Sequence, residues 1–372
     1  MKKIGIYIHI PFCVKKCDYC DFISYCNSEE KIEKYFIKLK QEINKKLSKL
    51  ENYFINTIYI GGGTPSAVDS KYIVDVLKEI RKIQDISQCE EITIEVNPGT
   101  ITLEKMMDYK KAGINRVSIG LQETNDNLLK SIGRIHTYND FLESYNIVRK
   151  LGFNNVNVDL MIGLPNQSIV NIKNSLEKII KLNPEHISVY SLILEEGTLL
   201  HKKIEMEQLK LVDEDLERNM YWYVKNLLEK NNYNHYEISN FSKVGYNSKH
   251  NSNCWNQEEY LGIGVAAHSY YQNKRYSNSL EINEYIENNK EILYEKQSVE
   301  EQKKEYMLLG LRKIKGINIQ QFKNKFGDNP IFIFRIELEE LVNNGLIIID
   351  GNYIKLTNKG IDFANKVWEK FV

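Results

Sequence analysis

The chain has 372 residues and a mass of 43.7 kDa, a length that predicts two or three domains, or one large α/β domain with an appendage. Fifty basic residues balance fifty acidic ones, which argues against a general nucleic-acid binder, because such proteins need a basic excess to neutralise phosphates. An apolar content of 42 % excludes wholesale disorder. No apolar run approaches the roughly 18 residues of a membrane span, and no signal peptide is visible. We therefore expect a cytoplasmic protein that contacts membranes only through a partner.

Short β-rich runs alternate with amphipathic helical patterns over the first 200 residues. The predicted strands are Ile4–Ile10, Thr57–Ile60, Ile92–Val96, Arg116–Gly120, Val156–Leu160 and His186–Leu192. The predicted helices between them are Glu30–Leu50, Tyr72–Ile83, Leu103–Ala112, Phe141–Leu151 and Ile169–Leu182. Repeated βα units imply a parallel sheet with right-handed crossovers. Six such units, rather than eight, predict an α/β fold in which residues 1–200 form an open, partial (β/α)6 barrel.

The repeat ends near residue 200. Residues 201–298 contain a helical pattern followed by Asn-rich and Tyr-rich turns, and we interpret them as an α+β extension. Residues 299–372 contain three helical patterns, two short strands around the turn at Asp350 and Gly351, and a last helix from Lys359, which predicts a winged-helix-like domain. Winged helices often bind DNA, but this segment has 12 Lys and Arg against 10 Asp and Glu. A role in packing or in covering a site is therefore favoured over nucleic-acid binding.

Three of the six cysteines form a cluster, Cys13, Cys17 and Cys20, with the spacing C-x3-C-x2-C directly after the first predicted strand. A structural zinc site normally has four ligands, often in two C-x2-C pairs. Three thiolates in one short loop instead suit three corners of a [4Fe–4S] cube, whose fourth iron stays open for another ligand. The alternative is a zinc site completed by Cys26 or His9.

With this cluster and the segments that follow the strands, the sequence resembles the radical SAM superfamily. More closely, it resembles the oxygen-independent coproporphyrinogen III oxidases and their HemW-type haem-chaperone relatives, over nearly the whole chain. The resemblance implies a radical SAM barrel whose [4Fe–4S] cluster binds S-adenosylmethionine (SAM). The segments that carry it are Tyr7–Cys13 (YIHIPFC), Gly61–Pro65 (GGGTP), Glu95–Pro98 (EVNP), Ser118–Gln122 (SIGLQ), Ile132–His136 (IGRIH), Asp159–Pro165 (DLMIGLP) and His250–Trp255 (HNSNCW).

Several of these residues follow strand ends, where active sites of (β/α) barrels lie. In the GGGTP segment, residues Gly62, Gly63 and Thr64 let the backbone approach a ligand, and their carbonyls could accept hydrogen bonds from the SAM ammonium. The resemblance implies that Glu95 accepts hydrogen bonds from the SAM ribose. It also implies SAM contacts for Gln122, Arg134 and Asp159, while Tyr7 and Tyr19 flank the cluster loop and could pack on the cluster or on adenine.

The sequence differs from the decarboxylating oxidases in two respects. The decarboxylating oxidases carry a further Cys two residues after the third cluster Cys, where this chain has Phe22, and they have an N-terminal extension, whereas this chain starts twelve residues before Cys13. Both differences favour the chaperone branch, which implies binding of SAM and haem and delivery of haem to haem-acceptor proteins, without coproporphyrinogen oxidase activity. An active radical SAM enzyme that decarboxylates coproporphyrinogen is the alternative. A zinc-containing binding module that uses the winged-helix-like segment is a third hypothesis.

The haem hypothesis depends on the segment His250–Trp255. The chaperone signature is H-N-x-x-Y-W, and Cys254 stands at the position of its Tyr. Imidazole and thiolate are both haem ligands, and Trp255 could stack on a flat macrocycle. If the segment is helical, His250 and Cys254 lie one turn apart. The resemblance therefore implies His250 as a haem contact, while a hydrogen-bonded His beside a buried Cys is the structural alternative. A homodimer is also possible.

Overall fold

The computed structural model describes residues 1–26, 28–288 and 290–372, and strands alternate with helices through its first 191 residues. In chain order the elements are β1 (Lys2–Ile10), α1 (Glu29–Leu47), β2 (Tyr53–Gly62), α2 (Ser70–Ile83), β3 (Glu91–Val96), α3 (Leu103–Lys111), β4 (Arg116–Gln122), α4 (Asp126–Ser131), α5 (Tyr138–Lys150), β5 (Val156–Ile162), α6 (Ile169–Leu182) and β6 (His186–Ser191). The six predicted strands and the five predicted helices are confirmed. The short helix α4 was not predicted.

The first strand shows how the sequence builds the two faces of the sheet. Successive side chains of a strand point to opposite faces. In β1 the alternate residues Ile4, Ile6, Ile8 and Ile10 are fully buried in the main hydrophobic core together with residues of α1. The intervening side chains lie on the other face, where the Tyr7 ring stacks beside an aromatic ring of β2. One face is therefore held by helices, and the other forms a polar and aromatic barrel interior.

Residues 199–296 extend the same sheet at both edges. Their elements are α7 (Leu199–Glu205), α8 (Glu214–Lys230), β7 (Asn234–Glu237), β8 (Asn240–Ser242), α9 (Lys249–Trp255), β9 (Tyr260–Ile263), β10 (His268–Tyr271), β11 (Lys274–Ser277), α10 (Ile282–Asn288) and β12 (Ile292–Lys296). The sheet has twelve strands in the order β12-β11-β10-β9-β1-β2-β3-β4-β5-β6-β8-β7. Strands β1 to β6 are parallel, β9 adds to β1 in parallel, and β8 pairs with β6 antiparallel.

The remaining residues form the predicted winged-helix-like domain. Its elements are α11 (Val299–Gly310), β13 (Ile317–Asn318), α12 (Ile319–Phe326), α13 (Pro330–Ile333), α14 (Arg335–Asn343), β14 (Ile347–Asp350), β15 (Tyr353–Leu356), α15 (Asn358–Asp362) and α16 (Ala364–Trp368). A three-stranded antiparallel sheet, β13-β15-β14, includes the predicted hairpin. This domain has a hydrophobic core of its own. It is joined to the barrel by backbone hydrogen bonds from Ile238 N to Arg312 O (3.1 Å) and from Ile314 N to Tyr236 O (3.1 Å).

The helices are amphipathic rather than uniformly apolar. In α1, residues Tyr35, Leu39 and Ile43 are fully buried, whereas lysines project from other positions of the helix. Within the described part of the chain, no helix is both long enough and apolar enough to cross a bilayer.

Candidate cofactor site

A cavity of about 520 Å³ lies at the carboxyl ends of strands β1 to β6. Its wall combines the three clustered cysteines with polar side chains from five further strand ends. Nearly all of the predicted site residues line it. They are Cys13, Cys17, Cys20, Tyr19, Gly62, Gly63, Thr64, Glu95, Gln122, Arg134 and Asp159. The barrel closes this set into one cavity because the carboxyl ends of parallel strands meet at the same edge of a sheet.

The cysteine loop is held by backbone hydrogen bonds on both sides. Cys13 N donates to Tyr25 O at 3.0 Å, and Asp18 N donates to Ile132 O at 3.0 Å. All three clustered thiols are free and partly buried. Burial raises the pKa of Cys20 to about 11 and that of Cys13 above its usual value. Bound iron would overcome this cost, since a coordinating metal deprotonates a thiol outright.

The three thiols all line the cavity. Among the described residues, no three His, Cys, Asp or Glu side chains come close enough to share a single metal ion. A [4Fe–4S] cube needs no such point, because each thiolate binds a different iron. Three thiols in one loop are therefore a donor set that fits three corners of such a cube.

The glycine segment after β2 brings backbone against the cysteine loop. A side chain at Gly63 would place its Cβ 3.0 Å from Cys13 Sγ, and Gly63 N donates to Ile10 O at 2.9 Å. Gly62 has a φ of 112°, and a Cβ there would lie 2.5 Å from the His9 ring. Thr64 Oγ1 donates to Cys13 Sγ at 3.6 Å. The two glycines thus let this segment pack against β1 and the cysteine loop, where a side chain would collide with them.

Replacement of Gly62 by alanine should destabilise the fold, because the new methyl group meets the His9 ring in a left-handed backbone conformation. We expect a loss of about 1–3 kcal/mol of unfolding free energy, measured by chemical denaturation. Gly99→Ala is the matched control, since Gly99 also has a positive φ (78°) but no atom within 4 Å of a Cβ. Equal losses in the two variants would show that the contact with His9 contributes nothing.

Glu95 stands at the end of β3 with both carboxylate oxygens in use. Tyr59 Oη donates to Oε1 at 2.7 Å, and Gly62 N donates to Oε2 at 3.1 Å. Removal from water raises the pKa of Glu95 to about 7. A carboxylate has about four acceptor sites, so Glu95 retains capacity to accept hydrogen bonds from hydroxyl groups in the cavity.

Arg134 connects the cysteine loop to the ends of β3 and β4. Its guanidinium donates to Asn97 Oδ1 at 3.0 Å, to Gly120 O, and to Cys17 Sγ at 3.4 Å. Arg134 Nε is buried and has no hydrogen-bond partner among the described residues. The guanidinium thus ties the cysteine loop to the ends of β3 and β4.

Asp159 and Gln122 complete the opposite wall. Asp159 accepts hydrogen bonds from Ser118 Oγ at 3.2 Å and from Asn157 Nδ2 at 2.7 Å, and burial raises its pKa. Gln122 has a φ of 73°, a left-handed conformation unusual for a residue with a side chain, at the register shift between β4 and β5. Strained backbone of this kind often occurs at ligand sites.

Two predicted residues lie outside the cavity wall. The Tyr7 hydroxyl pairs with His9 Nδ1 at 3.0 Å inside the barrel.

His250 lies on α9, where its side chain is buried and bonded to Thr57. Cys254 is one turn away on the same helix and partly buried, and burial raises its pKa to about 11. Trp255 stacks on the Arg312 guanidinium at 4.5 Å. A haem contact through His250 thus stays a prediction, and it would require α9 to move.

Sequence reasoning assigned no role to three residues of the site. Asn97 bonds both Arg134 and Thr64, Tyr59 supports Glu95, and Tyr190 lies at the cavity mouth. Asn97 stands two residues after Glu95 in the EVNP segment, so its position was visible. The tyrosines gave no signal, because alternating aromatic residues are also ordinary strand residues.

Comparisons with known proteins identify the class of this fold and site. The family model of the Radical SAM superfamily matches residues 7–179, and that of the HemN C-terminal domain matches residues 297–363. The solved structure of coproporphyrinogen III oxidase (HemN) from Escherichia coli, a radical SAM enzyme, has a TM-score of 0.86 and 21 % sequence identity, covering 100 % of this chain and 90 % of that chain. The fold is therefore that of a radical SAM protein, a class that implies a [4Fe–4S] cluster and SAM.

Full-length relatives narrow the class further. The heme chaperone HemW of Lactococcus lactis is 38 % identical over 378 residues, which cover 100 % of this chain and 98 % of that protein. The heme chaperone HemW of Bacillus subtilis is 36 % identical, covering 98 % of both. A mitochondrial radical S-adenosyl methionine domain-containing protein 1 of Danio rerio is 30 % identical, covering 98 % of this chain and 85 % of that protein. The chain belongs to the HemW heme chaperone family.

Proposed function

We propose that this protein holds a [4Fe–4S] cluster and SAM in the barrel cavity, binds haem, and delivers haem to haem-acceptor proteins. The observation that carries the proposal is the composition of the cavity at the strand ends: its lining combines three thiols, buried polar groups and exposed apolar side chains. The chaperone names of the full-length relatives support the haem part.

The cluster would be held by Cys13, Cys17 and Cys20. When bound, it supplies an open iron that can bind SAM and an electron for the sulfonium. The chain's own residues act around it. Arg134 donates a hydrogen bond to the Cys17 sulfur, the glycine backbone carbonyls accept hydrogen bonds from the SAM ammonium, and Glu95 accepts hydrogen bonds from ribose hydroxyls.

Haem would lie against the apolar rim. Phe22 and Ile193 line the cavity mouth and are 61 % and 68 % exposed, and Tyr190 lies beside them. Ligand pockets are lined mainly by apolar and aromatic side chains, and these exposed ones could be covered by a flat, largely apolar ligand such as haem. Lys15 and Lys16 also line the mouth, and their ammonium groups complement the propionates of haem.

The residue at position 22 and the charge of α14 bear on which partners the protein has. Phe22 stands where the decarboxylating oxidases have a cysteine, which favours transfer of haem over chemistry on a porphyrinogen. In the winged-helix-like domain, α14 carries three glutamates, Glu337, Glu339 and Glu340, which would repel a phosphate backbone and disfavour nucleic acid. We propose haem-acceptor proteins as the partners, in a cytoplasmic protein that can form homodimers and reaches membranes only through a partner.

A haem titration with matched variants tests the assignment of the rim. Phe22→Ser and Ile193→Ser should each weaken haem binding about tenfold, since each removes an apolar contact worth about 1.5 kcal/mol. Phe332→Ser is the control, because Phe332 is similarly exposed on the distant domain. The wild-type protein, with its cluster reconstituted under anaerobic conditions, should bind haem, pass it to an apo-haem protein, and leave coproporphyrinogen unchanged. Conversion of coproporphyrinogen to protoporphyrinogen would refute the proposed function.

A further inference from the structure

His250 belongs to the floor of the barrel rather than to its surface. The first turn of α9 is held by Glu91 of β3, which accepts hydrogen bonds from Lys249 N at 2.9 Å and from His250 N at 3.1 Å. The His250 side chain is only 6 % exposed, and its Nδ1 pairs with Thr57 Oγ1 at 2.9 Å. This fixed placement lets His250 support the side chains that pack against it.

The His250 imidazole packs against β1 and β2. A Cβ at Gly5 would lie 3.3 Å from His250 Cε1, so the glycine in β1 admits the ring. On its other side the imidazole packs on the Tyr59 ring, with centroids 5.2 Å apart. Burial lowers the pKa of His250 to about 4, so the ring is neutral near pH 7. A neutral ring can pack on Tyr59 without the cost of burying a charge.

Tyr59 links His250 to the cofactor cavity. The Tyr59 ring contacts His250, and the Tyr59 hydroxyl donates a hydrogen bond to Glu95 Oε1 at 2.7 Å. The backbone of β2 also packs closely on the Glu95 carboxylate, since a Cβ at Gly61 would lie 2.8 Å from Glu95 Oε2. His250, Tyr59 and Glu95 thus form an unbroken chain of contacts from α9 to the wall of the cavity.

We propose that His250 and Tyr59 are positioning residues for the cofactor site, and that α9 acts by holding Glu95 in place for the ribose of SAM. The first turn of α9, which carries His250, then supports SAM binding. This inference rests on the proposed SAM binding. A positioned carboxylate loses less conformational freedom on binding than a mobile one, and so binds its ligand more tightly.

The protonation state of Glu95 gives a readout that general destabilisation would not change. Besides Tyr59, the charged and titratable groups that face Glu95 are Asp159 and Arg116, together with Tyr7 and Tyr190. The hydrogen bond from Tyr59 favours the ionised form of Glu95. Ribose hydroxyls donate to the ionised form, so the contribution of Glu95 to SAM affinity should rise with pH through about 7.

Tyr59→Phe tests the proposal, because it keeps the ring and removes only the hydroxyl. SAM dissociation constants of the cluster-reconstituted protein are measured by equilibrium dialysis across a pH series. We expect an affinity about 3–10-fold lower near neutral pH, and a midpoint of the pH dependence about half a unit higher or more. Titration of the SAM amino group is common to both proteins and cancels in the comparison. Tyr53→Phe is the control, since Tyr53 lies at the other end of β2 and bonds Glu259.

His250→Ala tests the end of the contact chain that lies on α9. We expect it to weaken SAM binding several-fold in the haem-free, cluster-reconstituted protein, because Tyr59 loses the ring on which it packs. An unchanged pH profile in Tyr59→Phe would overturn the inference, as would a wild-type SAM affinity in His250→Ala. A wild-type protein that binds no SAM would overturn the proposed function as well, so the two failures can be told apart.

Discussion

The cysteine variant Cys17→Ala is expected to lose its iron–sulfur cluster. The wild-type protein, reconstituted without oxygen, should contain about four iron and four sulfide ions per chain, as a [4Fe–4S] cluster requires. The variant should contain almost none, because two thiolates cannot hold three corners of the cube and Arg134 loses the sulfur that it bonds at 3.4 Å. Colorimetric iron and sulfide analysis, together with the visible absorption of the cluster, measures the loss.

Two other cysteines provide the control for this experiment. Cys26 and Cys89 are free and partly buried, and neither lines the cavity. Cys26→Ala and Cys89→Ala should retain the full iron and sulfide content. A wild-type protein with about one zinc and no sulfide would instead support the zinc hypothesis. Loss of iron in Cys26→Ala alone would show that a fourth thiolate completes the site.

The largest loss of stability is expected from Phe322→Ala in the winged-helix-like domain. Phe322 is fully buried and packs edge-on against Tyr306 and Phe334. Truncating such a residue leaves a cavity and costs about 3–5 kcal/mol of unfolding free energy. Chemical denaturation, followed by tryptophan fluorescence from Trp368 in the same domain, should report this loss.

Phe332→Ala is the matched control for stability. Phe332 lies in the same domain but is 74 % exposed, so its truncation should change the unfolding free energy by no more than about 0.5 kcal/mol. If Phe322→Ala were as mild as Phe332→Ala, the domain would not depend on the core that the structure shows. Iron content should stay near four per chain in the control, because the cluster residues lie in the barrel.

The strand pattern predicted, for a physical reason, that several of the candidate site residues share one cavity. A residue that follows a parallel strand must lie at the mouth of a barrel, whatever the details of packing. Cys13, Glu95, Gln122 and Asp159 follow or end separate predicted strands, and the structure brings them to one cavity. The edge strands β7 to β12 were not predicted, since each has only three to five residues and gains its order by pairing with a neighbouring strand.

The sequence by itself determined the six βα units, the winged-helix-like domain and the three thiols, because periodicity and cysteine spacing are local properties. Only the tertiary structure decided what His250 touches. Its role depends on which strands pack against α9. The residues that contact His250 are Glu91, Thr57 and Tyr59, and they lie more than 150 residues away in the chain. Contacts over such distances leave no period in the sequence, so the support of Glu95 by α9 could be seen only in the folded barrel.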